Sequence, residues 1–192
     1  MAGMEKRTFH GEKLEIRKSP DGRKFIEGVL RYGVLSEEMY GFQERLAPSV
    51  FHRTLNAGSD VKMLWNHNDD EILGSTKSGT LQLTNRAEGL YFACEIPESA
   101  TNRFETIQRG DVDGVSFGFL PEAETWDHAA SPPIRTLTAA RLVEISPAPF
   151  PAYPAFSAKA TQRSTDAGKD FRVRLEIENI IARFGGERAQ GN

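Results

Sequence analysis

The chain has 192 residues, enough for one medium domain or a domain with a tail. It is 39% hydrophobic and 27% charged, the balance of an ordinary soluble chain. Its 24 basic and 27 acidic residues leave a formal net charge of −3, which gives no ground for a nucleic-acid surface or an anionic membrane partner. The single cysteine, Cys94, excludes an internal disulfide. The charged first residues lack the apolar core of a signal peptide, and no window approaches about 18 uninterrupted apolar residues, so a soluble intracellular protein is expected.

In chain order, FIEGVLRYGVL (25–35) has the glycine-punctuated rhythm of a strand that bends or meets a tight neighbour. Ser49 followed by VFHRTL predicts a short capped helix. DVKMLWNH alternates, placing Val61, Met63, Trp65 and His67 on one side before the polar turn NDDEILG. TLQLT and GLYFACEI form a hairpin through NRAEG. ESATNRFETIQRG is a helix with Ser99 as cap, Phe104 and Ile107 on one face and Gly110 as its stop.

The strand VSFGFL follows and ends at Pro121, after which EAETWDHAASPP is a polar loop. IRTLTAARLVEIS supplies one or two strands broken at Ala139 and Ala140. The proline-rich SPAPFPAYPAFS marks a domain edge near residue 158. A flexible linker follows, then an amphipathic helix within DFRVRLEIENIIARFGG. Six or seven clustered strands against two or three helices predict an α+β domain on a curved or closed antiparallel sheet.

Three residues are candidates for chemistry. Ser116 lies in GVSFG, a literal G-x-S-x-G. In an extended strand Val115, Phe117 and Phe119 anchor one face, while Ser116 and Gly118 leave the other nearly bare for a substrate backbone. A tightly packed small residue is the plain alternative. An α/β-hydrolase elbow is disfavoured: more strand follows the serine, the only later histidine is His128, and repeated βα units are missing. His67, at a strand end, can serve as general base or sit satisfied at the core rim. His67, Asp69 and Asp70 match no metal spacing, so neither metal nor cofactor is expected. Glu144, mid-strand in ARLVEIS beside Leu142 and Ser146, is costly to bury unless paired. It either orients an imidazole or faces solvent. Cys94 reads as core, Asp111 and Asp113 as turn formers, His10 and His52 as surface residues, and His128 as a reserve triad member.

The ordered segments IEGVLRYGVL, FQERLAPSVFHRTL, LWNHNDDEILGST, EGLYFACEIPES, GVSFGF and RLVEISPAPFPAYPAF resemble the prohead maturation proteases of tailed bacteriophages over about residues 8 to 158. Ser49 stands where that family usually has glycine. The resemblance implies a serine endopeptidase similar in fold to the herpesvirus assembly proteases: a mostly antiparallel closed β-barrel of about seven strands flanked by helices. It implies a triad in the order His67, Ser116, third member. The herpesvirus enzymes use a histidine third, but this chain has none after residue 128, so Glu144 or a dyad is expected.

It further implies action in the host cytoplasm inside the assembling prohead, on scaffold or the scaffold-like arm of the major capsid protein. Self-cleavage and self-association are expected, with residues 159–192 as a targeting or self-removed tail. Oxyanion donors would be backbone N–H groups beside Ser116 or in the loop after Glu144, with Arg141 a helper. The competing readings are an inactive assembly or scaffold protein on the same fold and an esterase-type hydrolase.

Overall fold

The computed structural model describes residues 3–9 and 14–149. The domain edge near 158, the linker and the C-terminal helix expected from the sequence lie outside the described residues. Within them the chain forms ten strands: β1 (Glu5–Phe9), β2 (Glu15–Lys18), β3 (Lys24–Arg31), β4 (Gln43–Leu46), β5 (Lys62–Trp65), β6 (Asn68–Ser75), β7 (Leu81–Arg86), β8 (Gly89–Glu95), β9 (Gly114–Asp127) and β10 (Ile134–Ala148). Two short helices, α1 (His52–Asn56) and α2 (Thr101–Gln108), complete the set, with a 3-10 turn over Glu98–Ala100 leading into α2.

The strands make two open sheets. One runs β1-β9-β10-β5-β6 with β4 also paired to β10, and the other runs β2-β3-β8-β7. The closed, mostly antiparallel barrel of about seven strands is therefore not formed. Closure needs an unbroken ring of ladders, and no ladder joins the two sheets where the chain passes from β6 to β7. The larger sheet is also mixed. Both β4 and β5 lie parallel to β10, along successive stretches of that one long strand, so the sheet branches around β10 instead of closing.

One core serves both sheets. Ile26 and Leu30 of β3 and Leu90, Phe92 and Cys94 of β8 join Met63, Phe117, Phe119, Leu142 and Ile145 in a single buried cluster. The tight neighbour expected at the first glycine-punctuated strand is real: a Cβ on Gly28 would stand 2.5 Å from the Phe92 ring. Several local expectations change. The polar stretch after His67 is strand β6, because it pairs back on β5 through a two-residue turn. β9 continues through Pro121 to Asp127. Pro121 is tolerated because β1 pairs β9 only as far as Phe119, which leaves the proline without a β1 partner. Ala139 and Ala140 mark irregularities within one 15-residue β10 and do not break it. Neither Ser49 nor Ser99 caps a helix: no side chain caps α1, Ser99 lies in the 3-10 turn, and Ala100 precedes α2. Gly110, at φ 82°, does stop α2.

Edge strand β1 is held by a buried ion network as well as by its ladder. Arg7 Nε donates to Glu44 Oε1 at 3.0 Å, and Arg135 Nη1 donates to Glu44 Oε2 at 3.0 Å and Glu5 Oε2 at 2.8 Å. Burial pushes the Glu44 carboxyl above its usual range, opposed by the Arg7 and Arg135 charges. For Glu5 burial acts upward too, but the Arg135 hydrogen bond and the Arg7 and Arg135 charges outweigh it and hold its carboxyl down.

Candidate active site

The site is built on the central ladder between β9 and β10. Phe117 and Phe119 enter the core, so Ser116 and Gly118 project from the opposite face of β9. The sequence pattern placed Leu142, Glu144 and Ser146 on a common face. The structure separates Leu142 from the other two, because the register shifts between Leu142 and Glu144 and leaves Val143 as an extra residue. Bulges re-aim side chains in this way. Leu142 and Ile145 join the core opposite Phe119 and Phe117, while Glu144 comes opposite Gly118 and Ser146 opposite Ser116.

Gly118 has a specific reason to be glycine. A Cβ there would lie 2.5 Å from Glu144 Oε1 and 3.1 and 3.2 Å from its Cγ and Cδ. The bare patch beside Ser116 is filled by the Glu144 carboxylate, and is not left open for a substrate backbone.

His67 reaches this carboxylate from β5–β6. Trp65 pairs with Asn68, so Asn66 and His67 form a two-residue hairpin turn with φ of 50° and 59°. Positive φ at both positions is what a type I′ turn requires, and a histidine stands where glycine is usual. His67 is therefore not on the strand face shared by Val61, Met63 and Trp65. The turn is sewn to the end of β10: the Asn66 N–H donates to the Pro147 carbonyl at 3.0 Å and the His67 N–H to Ser146 Oγ at 3.2 Å.

His67 Nδ1 and Glu144 Oε1 are 2.7 Å apart, with side chains 17% and 3% exposed. An ionised carboxylate only accepts, so with Glu144 ionised and the ring neutral this contact puts the proton on Nδ1 and makes Nε2 the acceptor. The Ser146 hydroxyl donates to Glu144 Oε2 at 2.5 Å, so both carboxylate oxygens have partners.

Ser116 is fully buried and pairs in register with Ser146 across the ladder. Its hydroxyl donates to the Arg7 carbonyl of β1 at 2.9 Å. The structure thus joins His67 to Glu144 and places Ser116 on the neighbouring strand, with its Oγ turned to β1 and not to the imidazole. The backbone around Ser116 is flanked by β1 on one side and β10 on the other. Ser116 itself pairs with Thr8 on the one side and with Ser146 on the other.

The remaining candidates lie elsewhere. Arg141 is exposed on β10. His128 follows β9, stacked on Trp126 at 5.7 Å, and His52 is exposed on α1 beside Asn56. Cys94 is core, its thiol pushed up to about 12 by burial, with the Glu95 charge adding. Asp69 and Asp70 are exposed on β6, and no metal-holding group of three or more His, Cys, Asp or Glu side chains occurs among the described residues. His10 lies outside the described residues. Sequence reasoning assigned no role to Ser146, although its position two residues after Glu144 was the available signal. It also did not find the Glu5–Arg7–Glu44–Arg135 network.

A family model described as caudovirus prohead serine protease matches residues 12–171. No curated protein and no solved structure matches the chain.

Proposed function

The chain belongs to the caudovirus prohead serine protease family and is a serine peptidase, and from that premise we propose that Ser116 is its nucleophile, His67 its general base and Glu144 the residue that orients the imidazole. One observation carries this reading: a nearly buried carboxylate is bonded to His67 Nδ1, one cross-strand pair along the ladder from a buried serine. That bond leaves Nε2 free to accept a proton, which is the tautomer general-base catalysis needs.

The chemistry begins when the Ser116 hydroxyl leaves the Arg7 carbonyl and donates to His67 Nε2. Oγ attacks the scissile carbonyl carbon, its proton passes to Nε2, and Glu144 stabilises the imidazolium. The tetrahedral intermediate collapses as Nε2 returns the proton to the leaving amine and the C–N bond breaks. Water, deprotonated by the same nitrogen, then cleaves the acyl–Oγ ester and restores Ser116.

The family assigns the chain to capsid maturation. The finer reading is that it trims scaffold or the scaffold-like arm of the major capsid protein inside the assembling prohead, and cleaves itself. Among the described residues, no helix is long and apolar enough to cross a membrane. Co-expression with the capsid protein, with and without Ser116→Ala, tests the assignment by the masses of the products. Trimming that vanishes with Ser116→Ala is expected, and trimming that persists refutes the nucleophile.

A further inference from the structure

We infer that Ser146 is a positioning residue of this site, holding both the Glu144 carboxylate and the strained turn that carries His67. The inference rests on the assignment of Ser116, His67 and Glu144 above.

A hydroxyl has one proton to give and lone pairs to receive. Ser146 spends its proton on Glu144 Oε2 at 2.5 Å and receives the His67 N–H at 3.2 Å. His67 Nδ1 closes the loop on Glu144 Oε1 at 2.7 Å. One hydroxyl therefore binds the carboxylate and the backbone of the residue whose ring that carboxylate orients. Ser146 is fully buried and Glu144 is 2% exposed, so water has little access to take over either bond. The need for a brace follows from local chemistry. His67 holds φ of 59°, a region a non-glycine residue keeps only when its surroundings over-determine it. Glu144 has three rotatable bonds, and one hydrogen bond to a ring leaves its carboxylate plane free to twist. A donor on Oε2 fixes that plane, and the cross-strand partner of Ser146 is Ser116 itself. In metal sites the outer partners that orient a ligating imidazole or carboxylate are worth about 10- to 100-fold in affinity or activity, and a brace on this carboxylate is expected to matter on that scale.

The test uses the full chain and a fluorophosphonate probe, so no substrate need be known. Ser116 Oγ forms the O–P bond, fluoride leaves, and the serine proton passes to His67. The second-order rate of labelling, with the modified peptide mapped by mass, reports the nucleophile and its base. Ser146→Ala should label about 10- to 100-fold more slowly at temperatures well below its melting point. In the Glu144→Gln background the same substitution should cost clearly less than in wild type, because the bond that fixes the carboxylate is already lost and only the hold on the His67 turn remains. Ser146→Cys, which keeps the size but donates weakly, should fall between alanine and wild type, and it decides the matter if Ser146→Ala does not fold.

Wild-type labelling by Ser146→Ala, or by Ser146→Cys where alanine fails to fold, overturns the inference. So does an equal loss in both backgrounds, which would mean that Ser146 acts independently of Glu144. Ser116→Ala separates this outcome from failure of the premise: unchanged labelling there removes the nucleophile and the inference with it, whereas abolished labelling leaves Ser146 to be judged on its own variants.

Discussion

Replacing Gly118 by alanine gives the most direct test of how the site is packed. The added Cβ would stand 2.5 Å from Glu144 Oε1, about 0.9 Å inside the 3.4 Å at which ordinary contact begins. The carboxylate has nowhere easy to go, since His67 Nδ1 holds one oxygen at 2.7 Å and Ser146 Oγ the other at 2.5 Å. A retreat of this size stretches at least one of those bonds past hydrogen-bonding distance. Misplacement of a catalytic group by about 1 Å costs about 100-fold in rate, the expected loss in fluorophosphonate labelling and in capsid-protein trimming. The stability cost is smaller. Overpacking costs about 1–3 kcal/mol, offset by about 0.5–1 kcal/mol from removing a glycine within a strand. At about 2–4 °C per kcal/mol for a domain of this size, the melting temperature should fall by less than about 10 °C. Gly28→Ala is the control. It meets the Phe92 ring at the same 2.5 Å in the other sheet, and should lose stability while the folded fraction labels at the wild-type rate. Gly118→Ala that folds and labels within threefold of wild type would refute the account of Gly118 as the seat of the Glu144 carboxylate.

Two further outcomes follow from the fold around the site. Arg135→Ala leaves the buried Glu44 carboxylate with Arg7 alone, and should lower unfolding free energy by about 3–5 kcal/mol in a denaturant titration; a loss below about 1 kcal/mol would show that the network is not needed to hold β1. Stability should also fall at alkaline pH. Burial raises the Cys94 thiol from 9.0 and the Tyr32 hydroxyl from 10.0, each to about 12, so between those limits the folded state binds more protons than the unfolded one. Stability is then full below pH 9 and declines as pH rises through about 12. The melting temperature should drop over that range, and drop less in Cys94→Ala. Equal slopes for the two proteins would remove Cys94 as a cause.

The parts of this protein that could be read from its residues are those set by short-range pattern. Alternation in VSFGF separates the core-facing phenylalanines from Ser116 and Gly118, and the structure keeps that division. The β7–β8 hairpin, α2 and its stop at Gly110 are likewise local. The order of six segments was enough to indicate the family, because such segments keep their own residue types in sequence. His67 and Glu144 could be chosen singly, as an imidazole at a strand end and a carboxylate that burial would penalise.

What joined them was tertiary. No local pattern announces the extra residue at Val143, because a bulge exists only against a partner strand. Yet that bulge turns Glu144 away from Leu142 and onto Gly118. The Asn66–His67 turn takes its place from β10, whose Pro147 carbonyl and Ser146 hydroxyl hold it. The barrel stays open because no ladder joins β6 to β7, and the two parallel ladders on β10 pair segments about 80 to 90 residues apart. The orientation of the Ser116 hydroxyl toward the Arg7 carbonyl is likewise set by β1, 109 residues away in the chain. Sequence by itself determined which side chains are available and which face of a strand each occupies while the strand stays regular. Register, bulges and the pairing of distant segments depend on long-range contacts that compete with one another, and only the folded sheet settled which carboxylate, imidazole and hydroxyl meet.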